Sequence, residues 1–166
     1  MNWAIALPEL ALCIVAMAIL MFGVLRRDDV FFLSSMLALG GFLLAALLVL
    51  TTKSGIGYHG QFVVDAFSSF VKILVLAGAA LALIMSLDYN RKNRIARFEY
   101  PVLMLLSVAG MMVMASAANL MTLYLGLELQ SLALYVLAAF ARDDVRSSEA
   151  GLKYFVLGAL ASGLLR

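Results

Sequence analysis

Residues 30–50 read VFFLSSMLALGGFLLAALLVL, an apolar run of 21 residues that contains no charged side chain. As an α-helix such a run extends about 30 Å, the thickness of the hydrocarbon core of a membrane. It lacks the alternation of apolar and polar residues that a membrane barrel strand shows. The run therefore predicts a transmembrane α-helix.

The same pattern extends over the rest of the chain. Hydrophobic residues make up 65% of its 166 residues and charged residues 13%, against roughly 45–50% and about 25% in typical globular proteins. We therefore predict an all-α, polytopic membrane helix bundle that forms a single transmembrane domain over residues 1–166. Five complete spans are expected at residues 4–25, 30–50, 62–87, 102–118 and 120–140, and a sixth span from residue 147 is cut short at 166.

The basic residues predict how these spans are oriented. The connections after the first, third and fifth spans contain eight of them, whereas the connection after the second span contains only Lys53. By the positive-inside rule the N-terminus lies outside the cytoplasm. The eight residues are Arg26, Arg27, Arg91, Lys92, Arg94, Arg97, Arg142 and Arg146.

Several classes of function are excluded by composition. A net charge of +2, divided among short clusters, does not form a nucleic-acid surface. The single cysteine, Cys13, and the single histidine, His59, provide neither an internal disulfide nor a Cys/His metal cluster. Residues 55–60 match the dinucleotide pattern GxGxxG, but an apolar helix precedes them where that motif requires a strand. We expect a flexible external loop there, with His59 in solvent.

Ionisable residues inside apolar spans are the candidates for function, because each costs at least about 2.5–3.5 kcal/mol to insert. Glu9 lies near the outer end of the first span, where an interfacial role and a functional role are both open. Asp65 lies in the first turn of the third span, where a carboxylate suits the helix dipole. Lys72, two turns further on, is expected to pair with Asp65 or to extend to the membrane surface.

Glu128 is the strongest candidate, because it lies near the middle of the fifth span. Tyr124, Ser131 and Tyr135 share its helix face, which forms a polar stripe. In the sixth span Lys153 is its expected partner, with Glu149 one turn away on the same face. The series Glu149, Lys153 and Glu128 predicts an intramembrane proton path; a hydrogen-bonded structural glutamate and a structural ion pair are the alternatives.

Four segments carry a resemblance to a known family. The chain resembles subunit N of bacterial respiratory complex I, the proton-translocating NADH–quinone oxidoreductase, over all of its length. The most specific segments are the last two of the four. The segments are LPEL at residues 7–10, DAF at 65–67, YLGLELQSL at 124–132 with YVL at 135–137, and EAGLKYFVLGALAS at 149–162.

The resemblance implies an antiporter-like membrane subunit of a hetero-oligomeric complex in the bacterial inner membrane. It places Glu128 and Lys153 in the proton path. From their positions in the spans, Asp65, Lys72, Tyr124 and Tyr135 are secondary candidates for the same path. It also implies that this chain binds no cofactor, since NADH, flavin, iron–sulfur clusters and quinone belong to other subunits.

Two other functions are considered, a subunit of a related cation/proton antiporter and a purely structural membrane-assembly protein. Because Arg166 follows an apolar run, we expect an N-terminal fragment that neither pumps protons nor folds stably alone.

Overall fold

A computed structural model describes residues 3–26, 30–52 and 54–164, without the side chains of residues 3, 4 and 59. These residues form six α-helices, which confirms the predicted all-α membrane bundle. A 3-10 turn at Trp3–Ala6 precedes the first of them. The helices are α1 (Leu7–Leu25), α2 (Phe31–Thr51), α3 (Ala66–Lys92), α4 (Glu99–Ala115), α5 (Leu120–Ala138) and α6 (Val145–Leu164).

Within the described ranges, α1, α2, α3 and α5 are long and apolar enough to cross a membrane. Helix α4 is apolar but shorter, with 17 residues. Helix α6 has 20 residues, and its first half contains Arg146, Glu149 and Lys153. The α3–α4, α4–α5 and α5–α6 connections are short, so these successive helices are antiparallel.

Helices α1 to α4 pack around one apolar core, and α5 and α6 extend from it. Leu12, Phe42, Leu105 and Met112, from α1, α2 and α4, are buried in that core. Helix α5 packs closely on α4, and α6 packs on α5. The α4–α5 approach depends on Gly110, because a Cβ there would lie 2.6 Å from the backbone nitrogen of Gln130. Each of α1–α4 therefore packs on several helices, whereas α6 packs on α5 alone among the described helices.

A β-hairpin precedes α3, and its presence corrects two predictions. Strands β1 (Gly55–Gly57) and β2 (Phe62–Val64) pair antiparallel around a 3-10 turn at Tyr58–Gly60. Residues 55–60 are therefore part of an ordered hairpin and not an irregular loop, and residues 62–64 are a strand and not the start of a helix. The backbone N–H of Val63 donates to the carbonyl of Ser116 at 3.0 Å, which fixes the hairpin to the α4–α5 connection.

Capping residues explain where α3 and α5 begin. Asp65 is the N-cap of α3: its Oδ1 accepts a hydrogen bond from the Ser68 backbone N–H at 2.7 Å, and the Ser68 hydroxyl accepts from the Asp65 N–H. These bonds hold the pKa of the exposed Asp65 carboxyl below its ordinary value. Asn119 caps α5 by accepting from the Thr122 N–H at 2.8 Å. The preference of Asp and Asn for caps sets both boundaries.

The hairpin and the basic clusters lie at opposite ends of the bundle. The hairpin, the start of α1 and the α4–α5 connection share one end. At the other end Tyr100 of α4 stacks edge-on with Phe140 after α5, at 5.5 Å between ring centroids. The α1–α2, α3–α4 and α5–α6 connections lie there with their basic residues. Arg27, Lys53, the His59 side chain and Arg166 are outside the described residues.

Candidate functional site: the polar stripe of α5 and the two ion pairs

The polar stripe of α5, defined as Tyr124, Glu128, Ser131 and Tyr135, lies on the side of the helix that packs on α6. Tyr124 shares a hydrogen bond with the hydroxyl of Ser162 at 3.0 Å between oxygens. Tyr135 lies edge-on to Tyr154, with 4.8 Å between ring centroids. All four stripe residues are half-buried. Glu128 therefore lies along the α5–α6 contact, between two tyrosines that both contact α6.

Helix α6 contacts this stripe with its small residues. A Cβ on Gly158 would overlap the hydroxyl oxygen of Tyr135, so only glycine leaves room for that side chain. Gly151 allows the same close approach to Ala139. Gly158 and Ser162 both face α5.

Lys153 and Glu149 lie on the opposite side of α6. Each residue of a helix turns about 100°, so Lys153 is about 200° from both Gly151 and Phe155, which face α5. Its Nζ lies 2.6 Å from Oε1 of Glu149, and these side chains are 70% and 58% exposed. The expected link from Lys153 to Glu128 is not formed among the described ion pairs, because the body of α6 lies between them.

The helix register gives the axial separation of these groups. Lys153 is next to Tyr154, which contacts Tyr135, so it is level with that part of α5. Glu128 lies seven residues from Tyr135, which is about 10 Å along the axis. The prediction that Lys153 is the partner of Glu128 did not take into account which face of α6 packs on α5.

A second ion pair lies inside the α1–α4 bundle, and it corrects the pairing predicted for Lys72. The Lys72 Nζ lies 2.6 Å from Oε1 of Glu9, and their side chains are only 2% and 6% exposed. Lys72 neither pairs with Asp65 nor extends to the surface. Glu9 was not among the proton-path residues predicted from sequence, and its partner is 63 positions away, so no local pattern could reveal the pair.

The chemistry that this arrangement offers is proton binding and transfer. Carboxylates and amines inside apolar helices respond strongly to small changes in spacing and hydration, because burial and pairing act on their pKa values in opposite directions. Among the described residues, no group of three or more His, Cys, Asp or Glu side chains could hold a metal ion. The candidate site therefore comprises the polar stripe, the exposed pair Glu149–Lys153 and the buried pair Glu9–Lys72.

Comparison with known proteins agrees with the resemblance in the sequence. The family described as "NADH:quinone oxidoreductase/Mrp antiporter, TM" matches residues 117–166, which include α5 and α6. NADH-quinone oxidoreductase subunit N of Granulibacter bethesdensis is 59% identical over 99% of the chain and 35% of its own length. The subunit N of Gluconacetobacter diazotrophicus is 56% identical over the same shares of both chains.

A solved structure shows the same fold. A chain of respiratory complex I from Thermus thermophilus, in a structure with bound aureothin, superposes with a TM-score of 0.76 and 30% sequence identity. The match covers 95% of the present chain and 34% of that chain. The resemblance predicted from the sequence is thereby confirmed: the chain belongs to the family of NADH-quinone oxidoreductase subunit N, and it spans about a third of the length of the relatives it matches.

Proposed function

We propose that this chain is part of a membrane-arm subunit of NADH–quinone oxidoreductase that takes part in proton translocation coupled to quinone reduction. The observation that carries the proposal is the position of Glu128. It lies midway along an apolar helix, on a stripe whose tyrosines contact α6. A carboxylate at such a depth is expensive to insert, so its presence there indicates a function. The named relatives, which are subunits of this enzyme, support the same assignment.

In this proposal Glu128 is the group that takes up and releases a proton inside the membrane. Tyr124 and Tyr135 flank it and provide hydroxyl groups along the stripe. Lys153 and Glu149 form a second charged position on the far side of α6. Because α6 separates the two positions, protons pass between them around that helix through water or groups from other parts of the full-length subunit.

The redox chemistry belongs to other subunits in this proposal. NADH, flavin, iron–sulfur clusters and quinone are bound there, and this chain contributes no catalytic site of its own. Its partners are the other membrane subunits and the lipid of the bacterial inner membrane, with the N-terminus outside the cytoplasm.

The test of function is Glu128→Gln in the full-length subunit within its complex. Glutamine keeps the size and hydrogen-bonding capacity of the side chain but cannot be ionised. We expect the complex to assemble while the number of protons pumped per quinone reduced falls severalfold.

Glu99→Gln is the matched control, since Glu99 lies in the first turn of α4, outside the stripe and both ion pairs. Normal pumping in an assembled Glu128→Gln complex would leave only a structural role for Glu128.

The test of orientation is cysteine labelling in intact cells, after Cys13→Ser removes the native thiol. Ser54→Cys lies at the hairpin end of the bundle and Asn93→Cys at the basic end. An impermeant maleimide is expected to label the cysteine at position 54 and not the one at 93 until the cells are opened. The reverse pattern would overturn the proposed orientation.

A cation/proton antiporter subunit is the second candidate, because the matching family description also includes an antiporter. Co-purification distinguishes the two. The full-length protein is expected to purify with NADH-dependent quinone reductase activity. Purification with antiport activity and without quinone reductase subunits would favour the second candidate.

A further inference from the structure

We propose that Glu9 and Lys72 form a second proton-binding centre, at the hairpin end of the bundle, with Oε2 of Glu9 as the atom that takes the proton. The inference rests on the proposed function in proton translocation, and it adds a site outside the α5–α6 residues. It follows from the burial of the pair, from the Glu9 oxygen that Lys72 leaves unpaired, and from the contact of the hairpin with Lys72.

The pair lies deep among apolar side chains. The Glu9 and Lys72 side chains are 6% and 2% exposed, and their charged atoms are 2.6 Å apart. A buried ion pair adds little stability compared with apolar residues of similar volume, because desolvation opposes the attraction. Stability alone therefore gives a weak reason to place this pair between α1 and α3.

One oxygen of the pair has no partner. Both Glu9 oxygens are buried and accept no hydrogen bond that meets the geometric criteria among the described residues; Oε1 lies 2.6 Å from the Lys72 ammonium, whereas Oε2 has no such ion-pair partner. The Lys72 ammonium also lies 5.6 Å from the centroid of the Phe62 ring, a cation–π contact. A buried carboxylate oxygen without a donor is costly, and protonation or a bound water satisfies it.

The hairpin packs beside this ion pair. Ile5, Phe62 and Val64 form a small buried cluster at the end of the bundle, and Tyr58 and Val113 pack against it. Phe62 belongs both to this cluster and to the Lys72 contact. The apolar cluster of the hairpin therefore adjoins the ion pair through Phe62.

Few other ionisable groups surround the pair. Cys13 lies one turn beyond Glu9 on α1, Tyr58 lies on the hairpin, and Asp65 at the start of α3 is exposed and caps that helix. Helix α2 contains no ionisable side chain, and Glu99 of α4 is at the other end of the bundle. Glu9 is thus the carboxylate that Lys72 contacts.

The step is a simple proton transfer. A proton from the water at the hairpin end binds Oε2 and converts the Glu9 carboxylate into a carboxylic acid, while Lys72 remains an ammonium. The pair then changes from neutral to a net charge of +1, and release of the same proton restores it.

The first test replaces the pair with apolar residues in the full-length subunit of the assembled complex. The double variant Glu9→Leu/Lys72→Met removes both charges and roughly keeps the volume, so assembly is expected to persist. Protons pumped per quinone reduced are expected to fall severalfold. Leu76→Met, one turn along α3 from Lys72 in the same core, is the matched control and should pump normally.

The second test is infrared difference spectroscopy of the complex between low and high pH, which does not depend on the double variant assembling. Glu9→Asp keeps a carboxyl beside Lys72, and the carbonyl band of a proton-binding Glu9 is expected to shift in frequency in that variant.

Two results would overturn the inference: normal pumping in an assembled double variant, or a spectrum that Glu9→Asp leaves unchanged. If the double variant pumps normally while Glu128→Gln does not, this second centre is wrong and the proposed function stands. If both variants pump normally, both proposals are wrong.

Discussion

The α1–α4 bundle and the α5–α6 pair place their lysine–glutamate ion pairs in different environments. Both contain one lysine–glutamate pair with 2.6 Å between charged atoms. In the first region the two side chains are 2% and 6% exposed, and in the second 70% and 58% exposed. The same two residue types thus form a buried ion pair between helices in the first region. In the second region they form an exposed ion pair within one helix.

The difference follows from how many neighbours each helix has. Helices α1 and α3 contribute to a core that four helices surround, so a charge there needs a partner on another helix. Helix α6 packs on α5 by one face, and a charge on its other face can pair within its own helix. Position in the bundle, and not residue type, decides whether an ion pair joins helices.

The largest effect that would test this comparison is the loss of the buried lysine. Lys72→Met leaves Glu9 buried without its countercharge, and breaking such a pair is expected to cost about 3–5 kcal/mol. Unfolding of the full-length subunit in detergent micelles measures this loss.

The double variant Glu9→Leu/Lys72→Met is expected to recover most of that stability, since it leaves no unpaired charge. If Lys72→Met is as stable as the unchanged protein, the α1–α4 bundle tolerates the unpaired, buried Glu9 carboxylate.

An intermediate effect tests the contact through which the second region joins the first. Gly110→Ala places a Cβ within 2.6 Å of the Gln130 backbone nitrogen, so α4 and α5 must separate. Overpacking of this kind is expected to cost about 1–3 kcal/mol, measured by the same unfolding assay.

Gly78→Ala is the matched control, because a Cβ on Gly78 of α3 would meet nothing within 4 Å. It should be neutral or stabilising by about 1 kcal/mol, since alanine is the better helix former. Equal effects of the two substitutions would mean that the α4–α5 approach does not depend on Gly110.

Sequence reasoning worked where the signal is local. Apolar runs predicted the helices, and Asp65 was expected at the start of α3, one position from the cap that it forms with Ser68. The hairpin was missed because each strand has three residues, too short for an alternating pattern, and because β2 adjoins an apolar helix. Strand β2 pairs with β1, whose glycine-rich sequence is more typical of a loop than of a strand.

The partners of the charged residues depend on contacts between helices that are distant in sequence. Glu9 meets Lys72 only because α1 and α3 share a core, and no spacing along the chain encodes that. The rotation of α6 did leave a signal: Gly151, Gly158 and Ser162 recur at helical spacing, and small residues indicate the face where helices approach closely. With that face toward α5, Lys153 has to point away from Glu128.

The smallest effect on stability is expected for the exposed lysine. Lys153→Met in the full-length subunit removes a one-turn pair whose side chains are 70% and 58% exposed, and such pairs contribute about 1 kcal/mol or less. The unfolding free energy should therefore change little, while protons pumped per quinone reduced fall severalfold if Lys153 is part of the path. Glu149→Gln serves as the companion variant, since it removes the other charge and leaves Lys153 in place. A loss of several kcal/mol on Lys153→Met would show that another part of the full-length subunit covers this face of α6. In that case Lys153 is buried in the whole protein, and both regions contain a buried lysine–glutamate ion pair.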